Sequence, residues 1–321
     1  MDDRLRAIRF DRPDRIPLSA GILPAAWMLH RRALYEIIRR HTAIFGDAYS
    51  REPDYDAVGG TYAEGNHTDA WGCVWTNIRS GMEAYVSGHP YPTRESVRSI
   101  RPPTADSGFP HGFMYLRLLD LRGFEEAMLD FAEEPPELKR LIDAVLEYNL
   151  KQARLRLADM ERRGAREEIV VFGDDLGMQN GLAIGAAKWR EYLKPCYRAI
   201  YEPFKKAGHY VYMHTDGWIL DIIPDLAECG VDVINPQVRA NGIGNLARIC
   251  RGKYCLDLDL DRQLFPFCSP GECDGHVKEA VEKLATPEGG LMLKAEIGPD
   301  VPLTNVDAIF TAMEKYGGYC A

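Results

Sequence analysis

A (β/α)8 TIM barrel carrying an N-terminal extension is the fold this sequence predicts, and three observations predict it. In the second half of the 321-residue chain, short apolar runs alternate with longer amphipathic stretches. Those runs are continuously apolar rather than alternating, which is the pattern of parallel strands covered by helices on both faces. None of the turns between them carries the G-x-G-x-x-G or P-loop glycines of a doubly wound nucleotide binder.

The elements follow in chain order. In the first half, strands are expected near RIPLSAG, YDAVGG, EAYVSG and GFMYLRL, and the segment PPELKRLIDAVLEYNLKQARLRLADMERRG reads as a long helix starting after Pro136. EIVVFGDD (168–175) is the next strand, followed by the helical AAKWREYLKPCYRAIYEPFKKAG, where Gly208 occupies the C-terminal cap. HYVYMHTDG, VDVINPQ, KYCLDLDL and GGLMLKAE then read as strands. The helices between and after them are WILDIIPDLAECG, IGNLARICRG, GHVKEAVEKLAT and TNVDAIFTAMEKYG. No Gly/Ser linker or short repeat divides the chain, so one domain over residues 1–321 is expected.

With 46% hydrophobic and 27% charged residues, the chain has the composition of a globular protein that buries a large core. A net charge of −9 argues against general affinity for nucleic acid or anionic membrane. Without a secretory apolar stretch or a run long enough to span a bilayer, a cytoplasmic location is expected. Eight scattered cysteines in that setting do not make a disulfide framework. Cys250, Cys255, Cys268 and Cys273 form two C-x4-C pairs, too loosely spaced for a zinc knuckle, and buried or free thiols are the expectation.

In a barrel, chemistry gathers where strands end and βα loops begin. Those exits hold Asp174 and Asp175, His214 and Asp216, Asn235 and Gln237, then Asp257, Asp259, Asp261 and Gln263, and finally Glu296. His214 and Asp216 are two apart and share a strand face, with Tyr212 below them, so they can bind a metal, relay a proton or simply hydrogen-bond. The bland alternative for Asp216, and for Asp174 and Asp175, is helix capping. Asp257, Asp259 and Asp261 would share one face and repel unless a cation or proton intervenes; otherwise the strand ends by Asp259 and Asp261 sits in solvent. Trp71 and Trp75, in TDAWGCVWTN, are candidate pocket walls.

Together RPDRIPLSAG, DAWGCVWTN, EEPPELKRLIDAVLEY, FGDDLGMQNGLAIGAAKWREYLKPCYRAI, YMHTDGWILDIIPDLAECGVDVINPQ and GPDVPLTNVDAIFTAM resemble the uroporphyrinogen decarboxylase superfamily nearly end to end. The resemblance implies the barrel, a homodimer, and one of several reactions. The superfamily's true decarboxylases carry an Arg-Gln-Ala-Gly-Arg stretch for an octacarboxylate substrate. Here that region reads GILPAAWMLHRR, with Arg31 and Arg32 just beyond. The cobamide-dependent methyltransferase branch implies a zinc held by a His-x-Cys pair and a later Cys. In this chain His214 matches, Asp216 replaces the first Cys, and the later position falls on Ala295 beside Glu296.

The resemblance therefore implies a metal set of His214, Asp216 and Glu296, with zinc or a harder divalent ion. It implies catalytic roles for His214, Asp216, Asp174 and Asp175, and substrate contacts at Trp71, Trp75, Tyr212, Asn235, Gln237 and Gln263. A methyltransferase acting on a small polar metabolite, with a corrinoid (methylcobamide) carried by a partner protein, is the first expectation. A decarboxylase is the second, and a binding or regulatory barrel without chemistry the third.

Overall fold

A computed structural model describes residues 2–318. Nine strands are described: β1 (Leu18–Ile22), β2 (Gly65–Thr68), β3 (Val74–Asn77), β4 (Tyr85–Gly88), β5 (Ile169–Gly173), β6 (Tyr210–Thr215), β7 (Val233–Pro236), β8 (Cys255–Asp259) and β9 (Leu291–Ile297). The residues gather into two compact units. One takes the chain up to Gly65, Asn77–Ala84 and everything from Pro236 on; the other takes Asn66–Thr76 and Tyr85–Asn235. The chain enters each unit more than once, so neither is a segment that a single linker could sever.

In the first unit β9 is the middle strand, parallel to β1 through Leu18–Leu293 to Ile22–Ile297 and to β8 through Leu256–Leu291 to Asp259–Lys294. Its helices Pro270–Leu284 and Leu303–Gly317 pack against each other, burying Val277, Val281, Ile309 and Phe310. Each such side chain stabilises the fold by roughly 1.5–3 kcal/mol. Helix Pro270–Leu284 is opened by a capping box in which Ser269 Oγ accepts from Glu272 N–H at 3.3 Å and the Glu272 carboxylate accepts from Ser269 N–H at 2.7 Å.

In the second unit β6 lies between β5 and β7, with β5 and β6 parallel from Ile169–Tyr210 to Gly173–His214. Behind them the expected long helix runs Pro136–Arg162 and packs on Lys194–Lys206. Phe172 meets Tyr201 and Phe113 there with ring centroids 4.9 and 5.3 Å away, a spacing at which aromatic pairs attract. Gly208, at φ 83°, ends the second helix as the sequence implies.

Two sequence expectations fail here, and a third is met in a different sheet. YDAVGG forms no strand; it is a loop ending in the 3-10 turn Gly60–Tyr62. EAYVSG does yield β4, but as an antiparallel partner of β3 in a small separate sheet. GFMYLRL becomes the start of helix Tyr115–Arg122. Its apolar residues misled the reading because a buried carboxylate, Asp174, holds the first turn: Asp174 accepts the N–H groups of Met114, Tyr115 and Leu116 at 3.1, 2.6 and 2.8 Å. That satisfies three donors a helix start always leaves open. Of the nine strands expected, six form as the parallel strands β1 and β5 to β9 among the described residues.

Cys268 and Cys273 are joined by a disulfide, whereas Cys250 and Cys255 are buried thiols outside any disulfide, so the four cysteines do not form a quartet. Cys320 lies outside the described residues. No helix of the described residues is long and apolar enough to cross a membrane.

Candidate metal centre

β5 and β6 deliver Gly173 and His214 side by side, and the chain beyond each strand carries Asp175 and Asp216. A third contributor comes from an irregular segment: Gly112 N–H donates to the Gly173 carbonyl at 2.8 Å and brings His111 over the sheet end. Gly173 makes room for it, since a Cβ there would stand 2.5 Å from His111 Nδ1. His111, Asp175 and His214 can each present one donor atom, with all three within 4.8 Å of one another.

His214 Nδ1 lies 2.6 Å from Asn235 Oδ1, an oxygen that can only accept, so Nδ1 carries a proton and Nε2 faces the group. That same Nε2 is 3.2 Å from Asp216 Oδ1 and 4.0 Å from Asp175 Oδ1. Asp175 is fixed from two sides, by His111 Nε2 at 3.1 Å and by the Asp216 N–H at 3.0 Å. Burial works against the charge on His111, but the Asp175 hydrogen bond and charge outweigh it and hold the imidazole above its ordinary value. Burial likewise works against the Asp175 carboxylate, which His111 nevertheless holds below its usual range. Two imidazole nitrogens and a carboxylate, one imidazole locked in its tautomer by an outer amide, are a donor set that fits zinc or a similar divalent ion.

Asp216 does not cap the next helix as its sequence position suggested, because that helix begins only at Ile223. Instead, the chain turns at Gly217, φ 78°, against Gly177: a Cβ on Gly217 would lie 2.2 Å from the Gly177 carbonyl oxygen. The adjoining Trp218 N–H then donates to the Met178 carbonyl at 2.8 Å. Gly217→Ala is expected to lower the unfolding free energy by about 2–4 kcal/mol, through the clash and the left-handed backbone together. Chemical denaturation checks this; an unchanged midpoint would mean the two turns are not packed as described.

The other expected residues lie elsewhere in the fold. Asp174 is fully buried, takes the three N–H groups named above and accepts from Tyr197 Oη at 2.7 Å, which makes it an anchor rather than a group open to substrate. Tyr212 is buried in β6. Trp71 packs edge-on to Tyr148, with ring centroids 5.0 Å apart. Trp75 Nε1 donates to Asp69 Oδ2 at 3.1 Å, while Asp69 Oδ1 receives the N–H groups of Trp71 and Cys73, so this turn is stapled by one carboxylate. Arg117 closes the staple, 2.7 Å from Asp69 Oδ2 and 3.7 Å from Asp120.

Asp120 beside that staple has a carboxyl that burial pushes up to about 7, with Arg117 only partly opposing. A carboxyl raised in the fold contributes stability that is present below its unfolded value and lost as pH rises through the folded one. The thermal midpoint is therefore expected to fall between about pH 4 and 7, and Asp120→Asn to remove much of that fall. Parallel pH profiles of the two proteins would refute the assignment.

In the first unit, Glu296 is ion-paired with Arg262, which also reaches Asp259 at 3.0 Å. Glu296 is thus held by a cation within its own unit; among the described residues, His111, Asp175 and His214 form the group that could ligate a metal. β8 does end at Asp259, but Asp261 is not in solvent: its carboxylate pairs with Arg239 at 2.8 Å and caps the backbone of Gln263 and Leu264. Asp257 is buried beside these. Gln237 forms a parallel bridge with Asp259, and its carbonyl accepts from Asn241 Nδ2. Arg31 spends its guanidinium on Asp56, at 2.8 and 2.9 Å.

A family model described as uroporphyrinogen decarboxylase (URO-D) matches residues 118–316, well over half the chain. The chain belongs to the uroporphyrinogen decarboxylase family. Its URO-D match takes in Asp175, His214, Asp216 and Asn235, whereas His111 precedes it. Among solved structures, a methyltransferase from Methanosarcina mazei is similar at 17% identity over 98% of both chains, with a TM-score of 0.64. At that identity the likeness speaks for the α/β fold alone. A Bacillus subtilis mannanase, BCman, is 15% identical over 58% of this chain and 57% of that one, with a TM-score of 0.31, too distant for its chemistry to bear on this URO-D member. No curated protein matches the sequence.

Proposed function

We propose that this URO-D family member is a metal-assisted enzyme of the methyltransferase-like branch, acting on a small polar metabolite with a corrinoid partner protein. The observation that carries the reading is the convergence of His111, Asp175 and His214, with Asn235 setting the His214 tautomer. A divalent cation held by these three would supply Lewis acidity toward an oxygen- or nitrogen-bearing group, because hard donors leave zinc more electrophilic than thiolates do. Within this arrangement, Asp175 orients both the Asp216 backbone and His111. His111 is half-exposed, so this donor faces solvent, from which a substrate would enter. Asp216, at His214, is the nearest further carboxylate to take up or give a proton.

Decarboxylation is the second reading. It is favoured by three guanidiniums, Arg79, Arg239 and Arg262, that line one cavity of the first unit, since a carboxylate substrate needs fixed cations. The test that separates the readings is metal content followed by turnover with a methylated corrinoid protein. A metal-free enzyme that releases carbon dioxide from a carboxylate substrate would overturn the first. A homodimer of cytoplasmic location completes the proposal.

A further inference from the structure

Leu23, Met82, Leu264 and Phe267 wall a cavity of about 890 Å3 that is lined wholly by residues of the first unit, none of them a member of the metal group. Its volume is within the usual range for a small-molecule site. Three guanidiniums and two carboxylates also line it, and most of that charge is already matched. Arg239 is held by Asp261 at 2.8 Å, and Arg262 by Asp259 at 3.0 Å and by Glu296. Arg79 and Asp300 remain. Neither side chain has an oppositely charged partner among the described residues, and both are exposed to the cavity.

The loop that presents Arg79 is fixed rather than loose. Buried Asn77 receives the Arg79 N–H at 2.7 Å and donates to the carbonyls of Thr61 and Met82. Gly81 accepts from Ala25 N–H at 3.1 Å, in a contact so close that a Cβ on Gly81 would sit 2.7 Å from the Ala25 nitrogen. On the apolar side the Phe267 ring is 87% exposed, an unusual exposure for a phenylalanine and one that leaves its π face open to a cation.

We infer that this cavity binds a small zwitterion, whose carboxylate is received by Arg79 and whose cationic nitrogen is received by Asp300 and the Phe267 ring. A molecule with one charge of each sign satisfies both unmatched side chains, whereas a simple anion or cation would leave one of them unpaired. Apolar walls accept the carbon skeleton or methyl groups between the charges. The inference is independent of the metal reading, which it neither needs nor supports.

Titration of the full-length protein with N,N,N-trimethylglycine and with glycine, followed by calorimetry, tests it. Acetate and tetramethylammonium serve as half-ligands. At least one zwitterion is expected to saturate at millimolar concentrations and to bind about tenfold more tightly than either half-ligand. Arg79→Gln and Asp300→Asn are each expected to weaken that zwitterion by about tenfold, with Arg79→Lys retaining most of the affinity. Thermal midpoints and metal content should not move, because both residues are exposed and outside the metal group. Failure of both zwitterions to saturate, equal binding to wild type and both variants, or acetate binding as tightly as the zwitterions would each overturn the inference.

Discussion

Purified wild-type protein equilibrated with zinc is expected to retain about one ion per chain, and His214→Ala to hold it at least about 100-fold more weakly. The size of the effect follows from the donor count. His111, Asp175 and His214 supply three donor atoms, and losing one leaves two, one of which is a half-exposed imidazole. Asn235 gives the sharper control. It contributes no ligand, but its Oδ1 holds the Nδ1 proton of His214 at 2.6 Å and so aims Nε2. Asn235→Leu, which keeps the volume and removes the acceptor, is expected to weaken zinc by about 10–100-fold. Glu296→Gln is expected to leave zinc unchanged, since that carboxylate is taken by Arg262. Inductively coupled plasma analysis after dialysis against graded chelator reads all three. Equal, negligible metal in wild type and His214→Ala would end the metal reading, and a loss on Glu296→Gln would restore the ligand set implied by the sequence resemblance.

Asp174→Asn should unfold more easily than wild type by about 3–5 kcal/mol, the largest stability loss expected from a single isosteric change in this chain. The groups that hold Asp174 are donors: three backbone N–H groups at the start of helix Tyr115–Arg122, and the Tyr197 hydroxyl. An amide turns one acceptor oxygen into a donor that would face these hydrogens at a site with no exposure to water. Burial pushes the carboxyl of Asp174 up, and the hydrogen bonds from Leu116, Tyr197 and Tyr115 oppose that push. Tyr197→Phe, removing one of the four donors, should cost only about 1 kcal/mol. Urea denaturation compares the variants. An Asp174→Asn protein as stable as wild type would show that the carboxyl is protonated and shares its proton with a neighbour.

Much of the architecture was legible because it rests on local pattern. β5 to β9 are runs of apolar residues long enough to be strands, and Pro136 and Gly208 mark helix ends by their own chemistry. The first half was less legible. GFMYLRL and EAYVSG have strand-like composition, yet one became a helix and the other a strand of a small antiparallel sheet. Periodicity cannot report that a carboxylate 58 to 60 residues later will cap the turn. At the site, His214, Asp216, Asp175 and Asn235 could be named because each stands at a strand exit. His111 could not. It sits in a Pro- and Gly-flanked stretch without periodicity, and the only hint was an unassigned histidine just before an apolar run.

By itself, the sequence determined the family and the strand exits, since both depend on residues close together in the chain. Which of those exits share a cluster was decided only by tertiary structure. His111 reaches Asp175 because Gly173 lacks a side chain and accepts the Gly112 N–H, and Asp174, adjacent to Asp175, faces the opposite way into the core. Two neighbouring aspartates of equal promise in the sequence thereby took different work, because successive residues of an extended chain point to opposite sides and only one side is dry.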